Sequence, residues 1–121
     1  MHRIGVDVVE IARIQEAVLR FGPRFLHRIY TGPELMLCKD KPNRLAARFA
    51  GKEAVMKALG TGVKGISWQE IEIMARPSGE PVVRLSGKAQ AKAAALGLVE
   101  FAISLSHSEE YAVAGVIAST S

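Results

Sequence analysis

Long hydrophobic runs, cysteine pairs and aromatic residues are what this sequence has least of. No apolar stretch approaches the roughly 20 residues a bilayer-spanning helix needs, so no membrane association is expected. The N-terminus Met1-His2-Arg3-Ile4 runs straight into a strand pattern, without the hydrophobic region and cleavage site of a signal peptide. Cys38 is the one cysteine. It cannot form an internal disulfide, and a cysteine-based zinc site is not expected. These features predict a cytoplasmic protein. The aromatics are four Phe, two Tyr and one Trp, too few to stack successive bases, and the Lys and Arg residues are scattered instead of forming a stripe. Nucleic-acid binding is therefore not expected. No Gly-rich loop of the Walker or dinucleotide type occurs, and no nucleophile motif of the hydrolases is present.

What the chain does have is enough apolar material, 49% of 121 residues, for one domain with one modest core. No repeat, low-complexity tract or linker divides it, and residues 1–121 read as a single domain. The formal charge of +4 gives a mild preference for acidic partners.

Hydrophobic periodicity predicts a strand over Ile4–Val9, with Ile4, Val6 and Val8 on one face and Gly5, Asp7 and Val9 on the other. A helix follows over Glu10–Phe21, stopped by Gly22. Pro23–Ile29 is short, basic and ambiguous. Thr31-Gly32-Pro33-Glu34 reads as a helix start. A long helix spans Asn43–Leu59 and stops at Gly60. Strands are expected over Gln69–Ala75 and Val82–Leu85, joined by a turn-rich Arg76–Pro81 connector. Ser86 can cap a helix that ends at Gly97, and two strands, Glu100–His107 and Tyr111–Ala118, close the chain. The sum is α+β with mainly antiparallel strands packed on a long central helix.

Two places carry chemistry. Asp7 lies within a strand of β-branched residues, where a charge is costly to bury without a partner. On the long helix, Glu53 and Lys57 share a narrow strip between a broad apolar face and a face of small residues, Ala47, Ala50, Gly51, Ala54 and Ala58. The small face lets another backbone approach closely. The spacing of Glu53 and Lys57 also fits a plain i,i+4 surface ion pair, worth about 0.3–0.5 kcal/mol. Arg48 and Lys52 project within the apolar face. Either they snorkel to its edge or they line a cavity that holds anions. Two carboxylates with several cations suit a hard divalent metal and the phosphates bound to it. His107 ends a strand and, alone, reads as a hydrogen-bonded edge or core histidine. Serines 104, 106 and 108 are common turn residues.

Three blocks in order carry a resemblance. They are Gly5-Val6-Asp7-Val8-Val9-Glu10-Ile11-Ala12-Arg13-Ile14, the helix segment Arg48 to Gly62 with its Lys52-Glu53-Ala54-Val55-Met56-Lys57-Ala58 core, and Ser104-Leu105-Ser106-His107-Ser108. Together they resemble the holo-[acyl-carrier-protein] synthases, the short, single-module type of 4′-phosphopantetheinyl transferase. The likeness spans nearly the whole chain and includes the Gly79-Glu80-Pro81 turn. Residues 36–44 match none of its motifs.

The resemblance implies transfer of the phosphopantetheine arm of coenzyme A to a serine of an acyl carrier protein, leaving adenosine 3′,5′-bisphosphate, in support of fatty acid biosynthesis. It implies Mg²⁺ held by Asp7 and Glu53, with Lys57 on the same phosphates. Asp7, Glu53 and Lys57 are the expected catalytic group, Glu53 being the first candidate base. Arg48, Lys57 and His107 are expected to contact coenzyme A. Arg13, Arg24 and Arg28, with Phe25 as an apolar anchor, are expected to dock the acidic carrier protein; Arg20 belongs to the same basic patch. A homotrimer with sites at subunit interfaces is implied as well. Two rivals follow from the residues alone. A non-catalytic binding module would show no magnesium dependence, and another phosphate-transfer enzyme would be indifferent to coenzyme A.

Overall fold

The structure, a computed structural model, describes residues 1–62 and 65–121. Strand β1 (His2–Glu10) leads into helices α1 (Ile11–Phe21), α2 (Pro23–Ile29), α3 (Gly32–Cys38) and α4 (Pro42–Leu59). A 3₁₀ turn (Trp68–Glu70) precedes the hairpin β2 (Ile71–Ala75) and β3 (Pro81–Leu85). Helix α5 (Gly87–Ala95) and strands β4 (Leu98–His107) and β5 (Tyr111–Thr120) complete the chain. The expected α+β architecture is present. β1, β5 and β4 form an antiparallel sheet in that order, and β2–β3 form a separate antiparallel pair.

Three expectations needed correction. The ambiguous Pro23–Ile29 segment is a helix, because Pro23 occupies its first turn, where a missing N–H costs nothing. The strand expected from Gln69 begins at Ile71; Ser67 and Glu70 form a reciprocal capping box that winds Trp68–Glu70 into a 3₁₀ turn instead. Ser86 stands at the N-cap of α5 but makes no side-chain cap bond, and α5 ends at Ala95, short of Gly97. Thr31 caps α3 in a full capping box with Glu34, and Gly60 ends α4 in the left-handed conformation (φ 76°).

Helix α4 lies across the inner face of the three-stranded sheet. Its small residues permit the contact: an added Cβ at Gly5 of β1 would sit 1.8 Å from the Ala54 carbonyl oxygen of α4. On β5 the inward residues are Ala112, Ala114, Val116 and Ala118, all buried. Phe101, Ile103 and Leu105 of β4 face the same way. Arg3 ties the end of α4 down, its Nε donating to the Ala58 carbonyl at 2.6 Å. The opposite face of the sheet is bare. There Ile4, Val6 and Val8 are 66, 54 and 56% exposed, and Ile117, between Ile4 and Ala102 in the register, is 50% exposed. The apolar face of β1 read from the sequence is thus the outer one, and Gly5, Asp7 and Val9 face the helix.

Candidate active site

β1 delivers Asp7 to the helix-facing side of the sheet, where its side chain is 12% exposed. α4 delivers Glu53 and Lys57 one turn apart. Lys57 does not pair with Glu53 as the i,i+4 spacing allowed. Its Nζ donates to Asp7 Oδ1 at 3.0 Å and to the Val6 carbonyl at 2.9 Å, drawing the lysine across to the strand.

Glu53 is half-buried, and its carboxyl is held above the usual carboxylate range. Burial is the main cause and the negative charge of Asp7 the second; Lys57 and Arg13 pull the other way. A carboxyl raised in part by a neighbouring carboxylate marks a place where a bound cation is favoured. The hard oxygen donors of the pair suit Mg²⁺, which takes one or two protein carboxylates and completes its shell with substrate phosphate and water. Among the described residues no third His, Cys, Asp or Glu joins such a group, which agrees with that ligand count.

Of the residues expected in the site, Asp7 of β1 and Glu53 and Lys57 of α4 come together, and Arg13 of α1 is near enough to act on Glu53. Arg48 and His107 lie elsewhere. Arg48 is on the β2 side of α4, where its Nε donates to the Ile73 carbonyl at 3.1 Å, and its charge acts on Tyr30 and Cys38. His107 is exposed at the end of β4 beside the start of α4, with Nε2 3.2 Å from Asn43 Nδ2. It is an edge histidine with a polar partner, Asn43, which the sequence reading did not single out.

Lys52 requires a correction. It neither snorkels nor lines an anion cavity; it is fully buried against Glu34. Of the four residues expected to dock a partner, Arg24, Phe25 and Arg28 share one surface of α2, while Arg13 on α1 acts on Glu53. Phe21, Arg24, Phe25 and Arg28 line a shallow groove, and Arg20 lies over the Phe21 ring at 5.4 Å. Phe25 is backed by Phe49, whose ring stacks on Trp68 at 4.9 Å.

Fold and site define a small module in which one helix and one strand bring two carboxylates and a lysine together. The model of the 4′-phosphopantetheinyl transferase superfamily matches residues 3–116, and the chain belongs to that superfamily. It is 54% identical over 114 residues to a holo-[acyl-carrier-protein] synthase of Dehalococcoides mccartyi, covering 94% of this chain and 95% of that protein. It is 49% identical over 117 residues to one from Koribacter versatilis, covering 93% and 94%. Among solved structures it is similar to the Helicobacter pylori holo-[acyl-carrier-protein] synthase in complex with coenzyme A, with TM-score 0.88, 39% identity and coverage of 96% and 99%. The Neisseria meningitidis holo-[acyl-carrier-protein] synthase gives TM-score 0.87, 37% identity and coverage of 98% of each chain.

Proposed function

We propose that the chain transfers the 4′-phosphopantetheine group of coenzyme A to a serine hydroxyl of an acyl carrier protein, releasing adenosine 3′,5′-bisphosphate. The observation that carries this reading is the Asp7–Glu53 pair with Lys57 across it, in a chain whose relatives are holo-[acyl-carrier-protein] synthases.

Asp7 and Glu53 would hold Mg²⁺, which when bound neutralises charge on the pyrophosphate under attack. Lys57 is 54% exposed at its side chain, so it can turn from Asp7 towards a phosphate oxygen and stabilise the leaving group. Glu53 takes the serine proton, directly or through a water; a carboxyl raised by burial is the better base for this. Arg48 and His107 are assigned to the nucleotide end of coenzyme A. In one subunit they lie apart from Asp7, which supports a site completed by a neighbour.

That neighbour is a second and third copy of the chain. The bare outer face of the β1–β5–β4 sheet supports a homotrimer, since a continuous apolar sheet face of this kind favours burial against another subunit. Ile117→Asp, at the centre of the face, is expected to convert a trimer to monomer in light scattering and to lower transfer in parallel. An unchanged mass would remove this face from the interface. The reading places the reaction in the cytoplasm, in support of fatty acid biosynthesis; a lone, buried thiol at Cys38 fits a reducing compartment.

Docking falls to Arg24, Phe25 and Arg28 around an apolar groove, with Arg13 on α1 adding positive charge for an acidic carrier protein. Reversing Arg13 and Arg28 to Glu is expected to raise KM for the carrier protein at least tenfold on an order-of-magnitude basis and to leave KM for coenzyme A unchanged. Equal effects on both substrates would remove the docking role.

The reaction itself is tested by intact mass. Apo carrier protein incubated with this protein, coenzyme A and Mg²⁺ is expected to gain one phosphopantetheine arm, and to gain nothing once the metal is chelated. No gain on several carrier proteins with a folded enzyme would overturn the assignment.

A further inference from the structure

Among the described residues two charged side chains are fully buried, Glu34 and Lys52, and they belong neither to the carboxylate pair nor to the groove on α2. Lys52 Nζ lies 2.7 Å from Glu34 Oε1 and donates to the carbonyls of Trp68 and Ile71 as well. Glu34 accepts from the Ile73 N–H at 2.9 Å through its other oxygen and from the Thr31 N–H at 2.9 Å. Arg48 adds its bond to the Ile73 carbonyl. β2 pairs with β3 along one edge, and these side chains satisfy the main-chain groups of the other. Helices α3 and α4 are thereby bonded to one defined level of β2.

Stability does not account for this arrangement. Replacing a buried ion pair by apolar side chains of similar size is often neutral or favourable. What directional bonds add, and an apolar contact lacks, is a fixed register. Lys52 immediately precedes Glu53, and successive helical residues project about 100° apart. A lysine held on the β2 edge therefore sets the direction in which Glu53 leaves the helix. An apolar residue at 52 would let α4 rotate or slide by a fraction of a turn, and Glu53 would move with it.

We propose that the Glu34–Lys52 pair is a positioning device that fixes the rotation of α4, so that Glu53 stays opposite Asp7 and the two carboxylates remain matched to one cation. Lys52 and Glu34 are positioning residues, since neither touches the reacting groups. The inference rests on Asp7 and Glu53 being the metal pair.

The test uses the full chain carrying Lys52→Met together with Glu34→Leu, which removes both charges and keeps the volume. Three quantities are read: the melting temperature, the Mg²⁺ concentration giving half-maximal transfer, and the coenzyme A dissociation constant by calorimetry with and without Mg²⁺. The expected result is a cooperatively folded protein with unchanged KM for carrier protein. Its half-saturating Mg²⁺ should rise about 10–100-fold, the range seen when residues supporting metal ligands are lost. The Mg²⁺-dependent gain in coenzyme A affinity should shrink alongside. A folded double variant with wild-type Mg²⁺ dependence in both readouts would overturn the proposal. Should the double variant not fold, Glu34→Gln, which keeps shape and an acceptor, is expected to shift both readouts in the same direction; a folded Gln variant without that shift overturns it equally. A wild-type protein indifferent to Mg²⁺ would instead overturn the metal reading on which the proposal stands, an outcome distinct from either variant result.

Discussion

Asp7→Asn is expected to slow phosphopantetheinyl transfer by about 10²–10³-fold with little change in melting temperature. The substitution keeps the size of the side chain and an oxygen that can accept the Lys57 ammonium now 3.0 Å away. It removes one negative charge from the pair proposed to hold a cation against phosphate. Loss of a single well-placed charge-stabilising group typically costs about 3–4 kcal/mol at the transition state, which is that range in rate. The fall should be in kcat and in the Mg²⁺ requirement, leaving KM for carrier protein alone, because the groove proposed for docking is built from other residues.

A second readout of the same variant needs no turnover. Burial is the larger cause of the raised Glu53 carboxyl and the Asp7 charge the second. With Asp7 neutral, the burial contribution stays and the repulsion goes. The Glu53 titration followed by carboxyl NMR in metal-free protein should therefore move down in pH, still above an exposed carboxylate. An Asn variant with wild-type turnover, or an unmoved Glu53 titration, would show that the two carboxylates do not act as a pair.

Asp7 and Glu53 were legible in the sequence for different reasons. A charge in a β-branched strand is conspicuous by its cost, and Glu53 by its place on a strip between two packed faces. Their juxtaposition was legible only through resemblance, since 46 positions separate them along the chain. Helix boundaries came through where a local device sets them, as at Thr31 and Gly60. They shifted where two local preferences compete, as at Ser67–Glu70. The inner and outer faces of β1 could be separated by alternation, but not ranked. The usual preference would turn Ile4, Val6 and Val8 inward. The structure turns the glycine face inward because only that side lets α4 come close enough to pack.

Arg48 and Lys52 show a different limit. Their angle on α4 was readable, and a cation on an apolar face was rightly marked as needing a reason. The reason lies 18 residues back at Glu34 and in the carbonyls of β2. Main-chain groups of an edge strand leave no signature in sequence, so such partners stay hidden until the strand is placed. The Thr31-Gly32-Pro33-Glu34 pattern marked a helix start, and the structure adds the reciprocal cap from Glu34. Its second role, reaching a buried lysine, has no local sign.

The largest effect on stability is expected at Gly5. In Gly5→Ala the new Cβ would meet the Ala54 carbonyl oxygen at 1.8 Å, its carbon at 2.8 Å and the Ala58 nitrogen at 3.0 Å. All three are main-chain atoms of the hydrogen-bonded helix α4, so no side-chain rotation relieves the overlap. Relief requires β1 and α4 to separate, which loosens the packing of Ala54, Ala58 and Ala114, each buried to within about a percent. Overpacking of ordinary cores costs about 1–3 kcal/mol, and contacts made by backbone alone lie at or beyond the upper end. A loss of about 3 kcal/mol corresponds to a drop of at least about 10 °C in melting temperature for a chain of this size. Gly32→Ala supplies the control: it has open space around an added Cβ, and its melting temperature should hold or rise slightly. A Gly5→Ala protein melting within two or three degrees of wild type, on the order of 1 kcal/mol or less, would mean that the close approach of β1 to α4 is not needed. If the approach is needed, transfer activity below the melting transition should fall too, because the contact that excludes a methyl at residue 5 also holds Asp7, two residues along the same strand, against Glu53.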